Sequence, residues 1–287
     1  MKKLRSSQYG NPFILVLPIL IIIILLAVYP TIYAFRLSLF STAEGLKNIK
    51  FVGIENFIKL FKSSNFWNSF KLTCGFTIIV VAVELIFGFI IALLLKRIKK
   101  GRKFFRLLFI IPLAISPAIA GLTWRMMYSS SFGVINYLLS KIGITGIFWH
   151  TSHLTALLSV IIVDIWQWTP FVMIIAYAGL QMIPKELHEA ALVDGCNNIN
   201  SFFKVSIPYI KPIIILVIIF RALDAFKAFD LIFVITKGGP GRSTETLVVS
   251  SFIDAFYNMN LGRAAAISVI LLLISIFTTQ RVIKQII

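Results

Sequence analysis

Polar residues are unevenly spread along this chain, and long apolar runs lie between them. The first run, from about Phe13 to Phe35, is uncharged throughout and contains Pro18 and Pro30. Others extend from about Leu72 to Leu95 around Glu84, from Leu107 to Tyr128 with Pro112 and Pro117, and from Leu154 to Leu180 with Asp164, Gln167 and Pro170. The last two run from Pro208 to about Ile235 and from Ala264 to Thr279. A helix crosses the hydrocarbon core of a bilayer with about 20 apolar residues. Runs of this length without two-residue alternation exclude barrel strands. The pattern therefore predicts an all-α, polytopic membrane protein with six transmembrane helices.

The fifth run is the least regular. Its uncharged part, Pro212 to Phe220, is too short to cross, so one helix is expected to continue through RALDAFKAFD to about Ile235. On that helix Arg221, Asp224, Lys227 and Asp230 recur every third residue with alternating sign, and each neighbour can pair with the next. At 100° per residue they drift over roughly half the circumference, so one narrow seam cannot hide them all. Charges inside membranes usually face a polar cavity or a partner helix, although a purely structural ion-pair ladder fits the same spacing. Asp224, Phe226, Lys227 and Asp230, with Asp164 from the fourth run, are the candidates for lining a solute path. Glu84 is expected to hydrogen-bond between helices.

Two shorter segments carry their own patterns. In FVGIENFIKLFKSSNFW, Ile54, Phe57, Ile58 and Phe61 fall at i, i+3, i+4 and i+7. That spacing predicts an amphipathic helix lying along the outer membrane surface. Between the fourth and fifth runs lies HEAALVDGCNNINSFFKVSIPYIKP, from His188 to Pro212. Pro184 stands at a helix start and Gly195 at a helix stop. Leu187, Ala190 and Ala191 share a face of the segment between. Ser201 is placed to cap a second short helix carrying Phe202 and Phe203, and Pro208 leads into the fifth run.

Composition supports the membrane reading. Of 287 residues, 59% are hydrophobic, against about half in soluble domains, and mean hydropathy is +0.93. The net charge of +17 does not point to nucleic acid, because its sources cluster as cytoplasmic loops do. Lys2, Lys3 and Arg5 precede the first run. Lys96, Arg97, Lys99, Lys100, Arg102, Lys103 and Arg106 separate the second from the third, and Arg281 and Lys284 follow the sixth. With six crossings all three groups share one side, so both termini are expected in the cytoplasm; lysines in the first outer loop weaken this bias without reversing it. The first run exceeds a signal-peptide core and no A-x-A-like site closes it, so it reads as a retained helix. The expected organisation is a tail over 1–11, a first helix over 12–36, an extracytoplasmic loop over 37–69 and a five-helix region over 70–283. Cys74 and Cys196 fall on opposite sides and form no disulfide. No metal-binding motif is present.

The polar insert resembles the cytoplasmic EAA loop of binding-protein-dependent ABC importers. That motif reads E-A-A, three residues, G, nine residues, then I-x-L-P. Here Glu189-Ala190-Ala191, Gly195, Val205, Ile207 and Pro208 occupy the matching positions, with Val for Ile, Ile for Leu, and Cys196 in place of a common alanine. Asp194 suits the sugar-importer branch. FVGIENF, FRLLFIIP, Trp124-Arg125, FGVIN and TKGGPGRST are similar to stretches of the maltose-type and glycerol-3-phosphate-type permease subunits, and they extend the resemblance over most of the chain beyond its first run.

The resemblance implies a type I ABC importer-like fold in a bacterial or archaeal cytoplasmic membrane. It implies that loop 186–208, through Glu189, Ala190, Ala191, Asp194, Gly195, Phe202 and Pro208, docks on a separate ATPase. Its implied partners are a homologous second permease, two ATPase subunits carrying ATP and Mg, and an extracytoplasmic solute-binding protein. The cargo would be a sugar or oligosaccharide, on which Phe226 could stack, with glycerol 3-phosphate as the alternative. This chain itself would bind no cofactor and carry no catalytic residue. No GxxxxGK[ST] and no HExxH is present, which removes the common enzyme readings. A secondary transporter would explain buried charges, but it usually shows internal repeats, which this sequence lacks, and it would not explain the EAA loop.

Overall fold

The computed structural model of the chain describes residues 12–42, 49–144 and 147–286; the basic tail with Lys2, Lys3 and Arg5 lies outside them. In chain order the elements are α1 (Pro12–Ile23), a π-helical turn (Ile24–Val28), α2 (Tyr29–Ser38), β1 (Phe40–Ser41), β2 (Lys50–Phe51), α3 (Glu55–Lys62) and α4 (Ser64–Arg97). There follow α5 (Arg102–Ile110), a 3₁₀ turn (Ile111–Ala114), α6 (Pro117–Met127), α7 (Val134–Lys141), α8 (His153–Gln181) and α9 (Lys185–Val193). The last part comprises α10 (Asn198–Ser201), a second π turn (Phe202–Ser206), α11 (Ile207–Tyr209), α12 (Lys211–Phe226), α13 (Asp230–Thr236), α14 (Leu247–Phe256) and α15 (Leu261–Ile286).

One compact unit joins the residues up to Ser63 with Ser251–Ile270. The first apolar run is helical as expected. It widens into a π turn just before Pro30, whose missing N–H removes one rung of the i→i−4 ladder. The predicted helix after Gly53 is α3. Its buried residues are Asn56 and Leu60, while Ile54, Ile58 and Phe61 are exposed, so its apolar edge points away from the unit, as a surface-lying helix requires. The Asn56 amide donates to Ser38 O and Phe40 O at 2.8 and 2.9 Å. Gly262 sits where a Cβ would meet Phe40 O at 2.0 Å. Its N–H donates to Thr42 Oγ1 at 3.1 Å.

The second unit joins Ser64–Ser250 with the residues from Leu271 onward. Its spine is the pair α4 and α8, both long and apolar enough to cross a membrane. They approach closely because Gly88 faces Val172: a Cβ at 88 would lie 2.6 Å from Val172 Cγ1 and 3.0 Å from the Met173 nitrogen. Small residues at such contacts let helix backbones meet where lipid supplies no hydrophobic drive. Toward the other end, Ala92, Leu95, Met173, Ala176 and Leu180 form a buried core with Ile210. Lys96 Nζ donates to Leu180 O at 3.1 Å, a cation placed on the orphan carbonyls of a helix C-terminus.

Two predicted spans are not single helices. The third is the pair formed by α5 with its 3₁₀ turn and α6, bent by 93°. Pro117 forces the preceding Ser116 into an extended conformation, with ψ of 136°. The Gln167 amide of α8 donates to the freed Ile115 carbonyl at 2.7 Å. The fifth departs further from expectation. The helix proposed to run unbroken from Pro208 to Ile235 breaks between Phe226 and Asp230. Lys227 N–H closes onto Asp224 O and Ala228 N–H onto Ala225 O, both three residues back. Phe229, at φ −126° and ψ −61°, leaves the helix before α13 begins. With 16 residues at about 1.5 Å each, α12 reaches roughly 24 Å, short of the hydrocarbon thickness of about 30 Å. The charged residues at 224, 227 and 230 are therefore not stacked along one helix.

Gly88→Ala should cost about 1–3 kcal/mol by overpacking, read as an earlier thermal unfolding transition in detergent. Adding Val172→Ala should recover most of the loss. An unchanged transition for Gly88→Ala would mean that α4 and α8 do not meet here.

Candidate functional site

The fold places three intramembrane charges from distant runs in one spot. Glu84 of α4, Asp164 of α8 and Arg221 of α12 are 0%, 2% and 1% exposed. Arg221 Nε donates to Glu84 Oε2 at 2.6 Å and Nη2 to Glu84 Oε1 at 2.7 Å, a bidentate fork. Nη2 also reaches Asp164 Oδ2 at 2.8 Å, and Nη1 reaches Asp224 Oδ2 at 2.7 Å. The Trp168 ring lies with its centroid 4.6 Å from the guanidinium carbon, within cation–π range. Of the expected alternating ladder, only the Arg221–Asp224 step forms; Arg221 turns inward to carboxylates on two other helices.

The sequence carried a signal for this pairing that spacing along one helix obscured. Glu84 and Asp164 are carboxylates in apolar runs with no adjacent cation, and Arg221 is a cation in a third run. Matching charge across runs identifies the cluster.

Of the candidate path residues, Asp164 is sealed in this cluster. Asp224 has its side chain 53% exposed, although one oxygen is held by Arg221. Lys227 and Asp230 flank the break and are exposed, and Phe226 is half-buried. Among the described residues neither Lys227 nor Asp230 has an ion-pair partner.

The insert between α8 and α12 is a separate surface. α9 carries Glu189 and Ala190 exposed and Ala191 buried, so the alanine pair divides between the surface and the unit's interior. Asp194 closes the helix and Gly195 follows at φ +77°. Cys196 N–H bonds to Ala191 O at 2.9 Å and Gly195 N–H to Leu192 O at 3.0 Å, the paired bonds of a Schellman turn. A Cβ at Gly195 would touch nothing; the requirement is the left-handed backbone itself. Ser201 lies within helical backbone and makes no capping bond. The capping expected of it falls to Asn197, whose Oδ1 accepts from Asn200 N–H at 2.7 Å. Phe202 packs on the α4–α8 core beside Ile210 and so anchors the insert. Pro208 sits in α11, just before the 72° bend into α12. Leu187, Leu192 and Val193 are exposed around Glu189, an apolar patch beside a charge that suits a protein partner.

Arg221→Met strands Glu84 and Asp164 and should cost about 3–5 kcal/mol, seen as loss of folded chain in detergent. Combining it with Glu84→Gln and Asp164→Asn removes the uncompensated charge and should restore most of the stability. Equal stability of the single and triple variants would refute the cluster's structural role.

Residues 84–283 match the family model described as binding-protein-dependent transport system inner membrane component. The chain is 34% identical over 269 residues to the trehalose/maltose transport system permease protein MalF of Thermococcus litoralis, covering 93% of this chain and 90% of the relative. It is 33% identical over 283 residues to the sn-glycerol-3-phosphate transport system permease protein UgpA of Agrobacterium fabrum, covering 96% and 95%. In fold it is similar to a chain in the crystal structure of a bacterial ABC transporter involved in the import of the acidic polysaccharide alginate. The TM-score there is 0.80 at 22% identity, with 95% of each chain covered. Among the described residues, four helices long and apolar enough to cross a membrane and two bent pairs accord with an inner membrane component. This multi-pass membrane chain belongs to the family of binding-protein-dependent transport system inner membrane components, the permease subunits of ABC importers.

Proposed function

We propose that this chain moves a neutral sugar or oligosaccharide across a bacterial or archaeal cytoplasmic membrane, alongside a homologous second permease. Two separate ATPase subunits supply the energy from ATP and Mg, and an extracytoplasmic solute-binding protein delivers the cargo. The break between α12 and α13 carries this reading. Irregular backbone at membrane depth is tolerated only where protein buries it or water reaches it, and broken helices form solute sites in other transporters. Exposed Lys227 and Asp230 flank this break, with Asp224 one turn before it. These groups can hydrogen-bond sugar hydroxyls, and half-buried Phe226 offers a ring face.

The charge balance favours a neutral cargo over glycerol 3-phosphate. Arg221 is committed to carboxylates, which leaves Lys227 at the break outnumbered by Asp224 and Asp230. A phosphate monoester needs an excess of donors and cations.

The insert supplies the coupling. Both termini and the insert lie on the cytoplasmic side, where the exposed face with Leu187, Glu189, Leu192 and Val193 meets an ATPase subunit, and Asp194 and Gly195 set the turn. The packing of Phe202 on the α4–α8 core supports a route from that contact into the membrane.

In the assembled complex, Lys227→Met with Asp230→Leu should abolish uptake of labelled sugar or change its preference while ATP hydrolysis continues. Normal uptake by that double variant would return these charges to a structural role. Glu189→Lys should lower the retention of ATPase subunits on purified complex, or uncouple hydrolysis from uptake, without reducing membrane insertion. Unaltered assembly and transport with the reversed charge would remove the docking role.

A further inference from the structure

We propose that α5 and the loop before it form a site for an anionic phospholipid, with the headgroup on the basic cluster and an acyl chain in an adjoining cleft. The basic stretch from Lys96 to Arg106 divides into two sets. Lys96 is used by the Leu180 carbonyl. Arg102 donates to Ile98 O at 2.8 Å, Lys96 O at 3.2 Å and the Tyr177 hydroxyl at 3.3 Å, so it pins the start of α5 to α8. Arg97, Lys99, Lys100, Lys103 and Arg106 are exposed. Among the described residues none of these has an ion-pair partner. No acidic residue lies between Lys96 and Arg106.

The helix itself is amphipathic. At 100° per residue, Phe104, Phe105, Leu108 and Phe109 share one side of α5, and Lys103 and Arg106 lie on the other. Phe104, Phe105 and Leu108 are all exposed. Leu108 and Phe109, within a turn of Arg106, border a cleft of about 310 Å³ against Phe87 and Ile91 of α4 and Trp166 and Thr169 of α8. Its lining residues are apolar apart from Thr169 and the indole of Trp166. A cationic rim one helical turn from an apolar slot is complementary to a phospholipid with a net negative head. A zwitterionic head offers no net charge for the rim, and a soluble anion would leave the slot empty. Each Lys or Arg near an anionic surface adds to such attraction, and salt screens it.

The test uses the full-length chain reconstituted in phosphatidylcholine vesicles. Phosphatidylglycerol or phosphatidylcholine bearing a nitroxide on its acyl chain is added as a trace probe. Electron spin resonance then reads the motionally restricted fraction. Phosphatidylglycerol should be retained over phosphatidylcholine by about fivefold, what one Lys or Arg at an anionic surface yields. Replacing Arg97, Lys99, Lys100, Lys103 and Arg106 together by Gln should bring the two lipids to parity. Leu108→Trp, which fills the slot and leaves every cation in place, should release the restricted phosphatidylglycerol chain. Parity in the unaltered chain, a preference that survives neutralisation of all these cations, or an unchanged restricted fraction in Leu108→Trp would each overturn the site. Loss of the preference on adding the partner permease and ATPase subunits would assign this face to protein and also overturn it.

Discussion

The pairing of Arg221 with Glu84 and Asp164 is the constraint on which the second compact unit depends. It joins α12 to both helices of the spine, and it does so inside an apolar setting where an unpartnered charge is costly. Four hydrogen bonds and a tryptophan face fix the guanidinium. Such an ion group is weak evidence for net stability, because well-packed apolar replacements often serve as well. Its value lies in register: a fork that fits two carboxylates from separate helices accepts one rotational setting of α12 and rejects others.

That setting has a consequence for the residues just beyond. Asp224 is drawn toward Arg221, and the chain tightens to three-residue bonding before α13. The break therefore begins one turn past the fixed arginine. Lys227 and Asp230, which the ladder would have paired, are left exposed at the discontinuity. A rigid anchor beside an irregular, charged segment is a workable design for a solute site, since the anchor keeps the segment in place while its polar groups remain available.

Run length and polarity in the sequence were enough to place the apolar segments, the amphipathic α3 and the helix–glycine turn of the insert, because each depends on local spacing. Pro30 and Pro117 mark where the first and third segments depart from regular helix. What local spacing hid was pairing across the fold. Read along one helix, residues 221 to 230 look like a self-sufficient ladder. Glu84, 137 positions away, competes for the same arginine and wins two of its N–H groups. Ser201 illustrates a smaller version: its type suits a cap, but Asn197 lies where the capping bond is made.

The close contact at Gly88 gives the spine a mechanical property. With Val172 against the glycine and Ala92, Met173 and Ala176 packed nearby, α4 and α8 have little room to slide past one another. Leu95 belongs to the core on which Phe202 of the insert rests, and Glu84 holds the buried arginine. Eleven residues of one helix, about 16 Å at 1.5 Å each, separate those points. A load applied at the insert would therefore meet a stiff double rod that holds Arg221 at its far end, and the two points would move as ends of one lever, without a relay of successive side-chain rearrangements.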